Sequence, residues 1–421
     1  MKSGQIITAI DIGTTKICTI IAETGENDTL EILGIGTGKS EGLSNGIVTD
    51  IMKAAKSVND AIGEAERMAE TKAANIYIGL AGEHMKSQNT IGRISLSAGS
   101  KPFEITKDHV HDVIANSKNN VKIQQGNEKL DIIHAIPQFY EIDGQQGITN
   151  PINMSGFNLT AYVHIVMADI NTIQNIKKCV EISGYKIEDI VLEPIASSLA
   201  VLNDVEEELG SILIDIGGGT TDIAVFYKKS IQFSAVLPLG GTNITQDLSV
   251  GLLTSPDSAE KIKINNGNAI ASDSDEAEEI VVEGISGRES SKKKLSFISE
   301  IIEARMREIL EGAYRILHNE HNLKLITAGL TITGGASLLK NCDRLAQEIF
   351  NMSTKIGYPD LSKLKGPKER LENPKYATAV GILYYAFEVY NENDSKIRSM
   401  LHKDPIMGFF KKLLNSFKDY I

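Results

Sequence analysis

Apolar positions along this chain fall into two spacings, and together they sketch an α/β protein. Near the start a β-branched run reaches Ile10-Asp11-Ile12-Gly13-Thr14-Thr15-Lys16 and resumes as the apolar run Ile17 to Ile21. About two hundred residues later the phrase returns as Ile214-Asp215-Ile216-Gly217-Gly218-Gly219-Thr220-Thr221-Asp222, followed by Ile223 to Phe226. Each copy reads as strand, tight turn, strand. A repeat at roughly half the chain length predicts two similar α/β halves and not a solenoid, whose period is about 20 to 50 residues.

Helical spacing marks Asp50 to Thr71, where Ile51, Ala54, Ala55, Val58, Ala61, Ile62, Ala65, Met68 and Ala69 share a face. Further helices are predicted over Ile170 to Ser183, over Ile195 to Leu202 behind Pro194, over Ala259 to Gly267, over Ser299 to Leu317 and over Ala377 to Tyr390. Strands are expected at Asn75 to Ala81, Ile190 to Leu192, Ile280 to Val282 and Leu330 to Thr333. From about 85 to 165, short strand runs alternate with Asp, Asn and Gly turns, which suggests a small α+β insertion. Asn391 to Asp404 is polar and reads as a flexible linker.

Composition narrows the function classes. A chain of 421 residues predicts two to four domain-sized units. With 55 acidic against 43 basic side chains the net charge is -12, which argues against non-specific nucleic-acid binding. The three cysteines, at 18, 179 and 342, are too dispersed for a disulfide framework or a metal-ligand spacing, so a reducing, cytosolic setting is expected. No signal-peptide pattern is present, and no window holds the eighteen or so uncharged apolar residues of a membrane span. The acid-rich stretch 271–283 and Lys292 to Lys294 read as solvated surface. His109 and His111 have no third ligand nearby and are read as surface too.

The repeated turn carries the candidate chemistry. Each copy ends an apolar strand on a carboxylate, which is costly to bury without a cation or donors. Glycines let the backbone approach a phosphate closely, and consecutive amides in such a turn form an anion-binding concavity. Gly13, Thr14, Thr15 and Lys16 in one turn and Gly217, Gly218, Gly219, Thr220 and Thr221 in the other could clamp a triphosphate from two sides. Asp11 and Asp215 would hold Mg²⁺ through water. Neither turn is a Walker A loop, and Gly34-Ile35-Gly36-Thr37-Gly38 lacks dinucleotide-binding context. A third element, Thr333-Gly334-Gly335-Ala336-Ser337-Leu338-Leu339, lies between strand and helix, where small residues would let an adenine ring lie flat against the backbone.

In this order the elements resemble the five motifs of the superfamily of actin, Hsp70-type chaperones and sugar kinases: phosphate-1 at Asp11 to Lys16, connect-1 at Glu193 to Leu202, phosphate-2 at Asp215 to Asp222, adenosine at Thr333 to Leu339 and connect-2 at Ala377 to Leu383. Within it the chain is similar to the FtsA family of bacterial cell-division proteins, through IGLAGEH (78–84), HAIPQFYEIDGQQGITNPINMSG (134–156), LEPIASSLAVL (192–202), LPLGGTNIT (237–245) and AEKIK (259–263).

The resemblance implies an α/β, actin-like (ribonuclease H-like), two-lobed ATPase fold of four subdomains. They would be 1A (1–84 and 166–195), the family-specific insertion 1C (85–165), 2A (196–236 and 304–390) and 2B (237–303), then the linker 391–404 and an amphipathic helix at 405–421. It implies ATP and Mg²⁺ as cofactors, with Glu260 and Lys263 at the ribose and adenine and Glu193 orienting the attacking water in an ATPase that is slow at best. It implies an actin-like filament that binds the tail of the tubulin-like protein FtsZ, tethers its ring to the cytoplasmic face of the inner membrane at the septum, and joins other division proteins. Arg305 and Arg307, on the helix bordering 2B, could pair with the acidic FtsZ tail. The rival reading, a sugar or acetate kinase, would need a catalytic carboxylate beside a substrate pocket in the first half, and no motif supplies one. A chaperone-like ATPase would need a substrate domain after connect-2, where only about forty residues remain.

The last residues can be read without the family. At about 100° per residue, Ile406, Met407, Phe409, Phe410, Leu413, Leu414, Phe417, Tyr420 and Ile421 fall within one arc of roughly 160°, with Lys411, Lys412 and Lys418 outside it. A helix of this length is about 24 Å long and carries three lysines, so it cannot span a bilayer. It is expected to lie in the interface of an anionic membrane.

Overall fold

A computed structural model describes residues 4–392, except 27, 98, 122–128, 275–276 and 321–325. The expectations for the amphipathic segment, and for all but the first two residues of the linker, lie outside the described residues.

The halves expected from the repeat are two sheets of one design. The first runs in the order Ile187–Leu192, Ile76–Leu80, Ile6–Ile12, Lys16–Thr24, Leu30–Lys39, Leu364–Lys365. The second runs Ser230–Leu237, Thr221–Tyr227, Ser211–Ile216, Gly329–Thr333, Thr354–Ile356. In each, an antiparallel meander of three strands is extended on the side of its first strand by two parallel strands. The registers also correspond. Ile12 faces Ile17 and Ile216 faces Thr221, each across a turn of four residues. One step inward Asp11 faces Cys18, and Asp215 faces Asp222. The central strands are buried on both faces, which is why they read as unbroken β-branched runs without alternation.

Helix Ile51–Ala69 starts where Asp50 accepts the amides of Met52 and Lys53, and it packs on strand Leu30–Lys39. The glycines of that strand explain the Gly-x-Gly-x-Gly run. A Cβ on Gly34 would lie 2.1 Å from the Ala65 carbonyl oxygen and one on Gly36 2.0 Å from that of Ala61. Their role is to admit a helix backbone.

Two helices begin earlier than their apolar spacing indicates. The one expected at Ala259 spans Pro256–Asn266, opened by Ser255, whose hydroxyl accepts the Ser258 amide. The long helix spans Leu295–Glu320. Helices Lys107–Asn119, Gly241–Leu252 and Cys342–Phe350 were not anticipated. Gly241–Leu252 starts at Gly240, which has no side chain to cap with; instead the Gly240 amide donates to Asn243 Oδ1.

A four-stranded antiparallel sheet, ordered Gln145–Ile148, Leu130–Ile142, Asn158–Asp169, Met85–Ser95, carries helix Lys107–Asn119 on one face. It docks on Ser230–Leu237, the edge strand of the second sheet. Side chains satisfy that edge: Ser87 Oγ donates to the Ser234 carbonyl (2.6 Å), Asn89 Nδ2 to that of Gln232 (3.1 Å) and Gln138 Nε2 to that of Ile231 (3.1 Å). His164, buried, bridges Asn89 Oδ1 at 2.7 Å and Ser234 Oγ at 2.9 Å.

Two helices pass between the halves. Glu193–Val201 follows the last strand of the first sheet and packs on the second, while Ala377–Glu392, grouped with the second half in sequence, packs on the first. Ile7, Ile20, Leu213, Phe226, Leu199, Val380, Ile382 and Leu383 therefore share one continuous core. Where the helices cross, a Cβ on Gly381 would stand 1.7 Å from the Ala196 carbonyl oxygen, so only glycine permits this approach. Each buried Val, Leu or Ile here contributes about 1.5–3 kcal/mol, enough to hold the crossing closed.

Candidate functional site

The crossing helices bring the two repeated turns face to face. Asp11 and Asp215 are 8% and 7% exposed. Burial raises the Asp11 carboxyl to about 6, against the pull of Lys16 and with a push from Asp215. Asp215 is raised by burial and steadied by hydroxyls from both crossing helices: Ser197 Oγ donates to Oδ2 at 2.7 Å and Thr378 Oγ1 at 3.1 Å. Asp222 and Glu193 are driven well above the carboxylate range, by burial first and then by neighbouring carboxylates. The Oδ1 atom of Asp222 has no hydrogen-bond partner among the described residues. Four acids thus share a small volume short of positive charge.

The turns themselves touch. A Cβ on Gly218 would lie 2.4 Å from Thr15 Cγ2, and one on Gly219 2.8 Å from Thr14 and 3.0 Å from Asn45 Oδ1. In the second turn the carbonyls are used: Gly217 and Gly218 accept from the amides of Gly241 (2.9 Å) and Thr242 (2.8 Å), and the Thr242 hydroxyl also donates to Gly218. The amides of Thr14, Thr15, Gly218 and Gly219 donate to no protein acceptor among the described residues. Unspent amides on facing turns are what an anion requires.

Beside the second turn, the ammonium of Lys263, only 8% exposed, is held by Gly241 O (2.9 Å), Thr245 Oγ1 (2.8 Å) and Glu260 (2.7 Å). The Ala336 methyl approaches Gly241, and Gly335 approaches Lys375. Gly334 has φ +86°, and a side chain there would sit 2.3 Å from Asp215 Oδ1, so the position tolerates only glycine. Lys16 reaches over the first turn, donating to the Lys375 carbonyl at 2.7 Å and standing 4.0 Å from the centre of the Tyr376 ring.

The candidates Asp11, Gly13, Thr14, Thr15, Lys16, Glu193, Asp215, Gly217, Gly218, Gly219, Thr220, Glu260, Lys263, Gly334, Gly335 and Ala336 thus gather around the two facing turns, whereas Thr221 is fully buried and its hydroxyl donates to the Leu239 carbonyl (2.8 Å). Arg305 and Arg307 lie elsewhere. Arg305 grips Asp247 through Nε (2.6 Å) and Nη2 (3.1 Å), pairs with Glu308, and lines a separate cleft of about 500 Å³ with Asn243, Val250, Phe297 and Ile301. Arg307 pairs with Glu303 and Glu348 and does not line that cleft. The membrane-facing candidates Ile406 to Ile421 fall outside the described residues. Sequence reasoning missed Asp222 as a site acid, although it closes the repeated phrase. It also missed Asn45, Ser197, Thr242, Tyr376 and Thr378, which carry no local signal.

Known proteins match this chain over nearly its whole length. Residues 212–381 match the family model described as cell division protein FtsA, and residues 82–167 match the SHS2 domain inserted in FtsA. The chain is 35% identical to the cell division protein FtsA of Pseudomonas aeruginosa, over 94% of this chain and 92% of that one. It is 37% identical to that of Neisseria meningitidis, over 91% of each, and 32% identical to that of Escherichia coli strain K12, over 98% and 97%. Among solved structures it resembles in fold the PilM–PilN type IV pilus biogenesis complex, with TM-score 0.64 at 14% identity over 91% of this chain and 98% of that one. It likewise resembles MreB5 of Spiroplasma citri bound to AMPPNP, with TM-score 0.56 at 14% identity over 93% and 98%. With two duplicated sheets closing on a pair of facing turns in an actin-like fold, and relatives matched over nearly their whole length, the chain belongs to the FtsA family of cell-division proteins.

Proposed function

We propose that this chain binds ATP with Mg²⁺ in the cleft between the repeated turns, assembles into an actin-like filament, and tethers FtsZ to the cytoplasmic face of the inner membrane at the division septum. The observation that carries the reading is the pair of facing turns with unspent amides, set among four buried acids. Bound ATP would supply a phosphoanhydride, and the Mg²⁺ that accompanies it would supply a local positive charge beside the acids. Amides of Thr14, Thr15, Gly218 and Gly219 suit phosphate oxygens, and Lys16 adds a cation. Among the described residues no three His, Cys, Asp or Glu side chains are placed to hold a metal by themselves. Asp11 and Asp215 would hold the ion through water. Glu260, Lys263 and Gly334 to Ala336 form the side suited to ribose and adenine.

Glu193 would orient a water. Burial raises the proton affinity of Glu193 in the ligand-free cleft, and a cation beside the cluster would lower it. The Arg305 cleft, with its apolar wall and a rim on which Arg305 pairs with Asp247, suits a short amphipathic peptide such as the FtsZ tail. Further division proteins would join through other faces of the filament.

The anchor rests on residues 405–421, whose apolar arc is worth on the order of 5 to 10 kcal/mol if half buried, before ordering costs. One copy would bind reversibly, and a filament would bind persistently through effective concentration. Co-sedimentation with anionic liposomes and ATP, comparing the intact chain with one ending at Lys403, tests the whole reading. Strong pelleting of the intact chain alone is expected. Equal pelleting of both rejects the anchor, and pelleting indifferent to ATP rejects its link to assembly.

A further inference from the structure

The Lys16 ammonium has an unusual set of partners for the cation of a phosphate turn. It forms no ion pair among the described residues. It donates to a neutral carbonyl, that of Lys375, at 2.7 Å and stands 4.0 Å above the face of Tyr376. Both partners belong to the single turn Pro374–Tyr376 that opens helix Ala377–Glu392, and this turn is stiff. The Asn373 side chain accepts from the Lys375 amide (3.1 Å), and the Tyr376 amide donates to the Asn373 carbonyl (2.9 Å).

The ring is fixed as well. Tyr376 is 2% exposed, and its hydroxyl accepts from Arg370 Nε at 3.2 Å. Arg370 is anchored in turn by Thr37 Oγ1, to which Nη2 donates at 2.6 Å. Strand Leu30–Lys39 therefore sets Arg370, Arg370 sets Tyr376, and Tyr376 sets Lys16.

Asp11 and Asp215 attract this ammonium without pairing with it, and its direct partners, a carbonyl and a ring face, are uncharged, so they hold it less firmly than a phosphate would. We propose that Tyr376, oriented by Arg370, is a positioning residue that docks Lys16 while the cleft is empty and yields it to a terminal phosphate when a nucleotide enters. The turn at the head of helix Ala377–Glu392 thereby registers occupancy of the cleft. This rests on the nucleotide-binding reading above.

Docking competes with the phosphate, so weakening the dock should tighten nucleotide binding, and only while Lys16 is present. The test is calorimetric titration of ATP with Mg²⁺ into the full chain and into Tyr376→Leu, Lys16→Met and the double variant, joined to amide hydrogen exchange of residues 374–384 without nucleotide. Y376L is expected to bind ATP about fivefold more tightly than the parent. In the K16M background the same change should leave affinity within twofold. Tyr376→Phe, which keeps the ring and loses only the hydroxyl, should fall between. In the exchange arm, K16M alone should quicken exchange at the head of the helix several-fold. Looser binding by Y376L, or an equal effect with and without Lys16, overturns the proposal. So does unchanged exchange in K16M, which needs no nucleotide. Failure of the parent to bind ATP instead overturns the nucleotide reading, and the exchange arm still judges the dock.

Discussion

Replacing Asp11 by Asn removes one charge from the acid cluster while nearly keeping shape, and its effect can be worked from the structure. The folded Asp11 carboxyl titrates near 6, against 3.8 for an ordinary aspartate. The folded state therefore holds this proton more tightly than the unfolded state. The stability so contributed is complete below pH 3.8 and is lost as pH rises through 6. A shift of about two units is worth roughly 3 kcal/mol, and relaxation around the cleft leaves about 1–3. Asn has nothing to titrate. The difference in stability between D11N and the parent should thus be near zero at pH 4 and reach about 1–3 kcal/mol in favour of D11N at pH 8. Urea unfolding without nucleotide at several pH values, followed by circular dichroism, measures it. Mg²⁺ with ATP should reverse the order, stabilising the parent much more than D11N. A difference that stays flat with pH, or a D11N less stable than the parent at pH 8, would refute the argument that uncompensated charge accumulates in the empty cleft.

Gly381→Ala should cost on the order of 3 kcal/mol or prevent folding, since its Cβ would meet the Ala196 carbonyl; unchanged urea midpoints would show that the helices can part freely. Arg305→Glu sets three acids together with Asp247 and Glu308, so it should lower stability by about 0.5–1 kcal/mol and weaken binding of an FtsZ-tail peptide several-fold. Titration giving an unchanged affinity removes Arg305 from that contact. Combining Asn89→Ala with Gln138→Ala removes two caps from the edge strand Ser230–Leu237, at about 1 kcal/mol each. Hydrogen exchange along that strand should quicken about tenfold, and undiminished protection would mean the insertion is held there by other contacts.

What could be read in advance followed the range of the interactions. The repeated turns were legible because Asp, Gly and Thr act locally: a strand must stop, a tight turn needs glycine, and a carboxylate at a strand end needs a partner. Helix Ile51–Ala69 was legible from its apolar face and from Asp50, four positions before Ala54. Helix Gly241–Leu252 was not, because it begins on Gly-Gly-Thr-Asn and its first carbonyl partners come from the turn at Gly217. Ser197 and Thr378 reach Asp215 from 18 and 163 residues away. Arg370 reaches Thr37 across 333. No window of sequence contains such pairs, and only the crossing of the two connecting helices creates them. The acids Asp222 and Glu193 were visible as residues, but their raised proton affinity arises from burial, which belongs to the assembled cleft.

The two sheets are also cross-braced. The outer strand of the first, Leu30–Lys39, is extended by Leu364–Lys365 from the second half, with the Leu30 amide donating to the Lys363 carbonyl. The outer strand of the second, Ser230–Leu237, is plugged by side chains of the insertion in the first half. Each half thus shields the raw edge of the other, and neither is a finished folding unit, despite their common design. Contacts spanning so much of the chain close late, so the nascent strand Leu30–Lys39 leaves the ribosome with an open edge and waits for more than three hundred residues before Leu364–Lys365 covers it. Exposed edges recruit other edges. The symmetry that builds the two sheets therefore leaves each half, made alone, with a bare edge prone to aggregate.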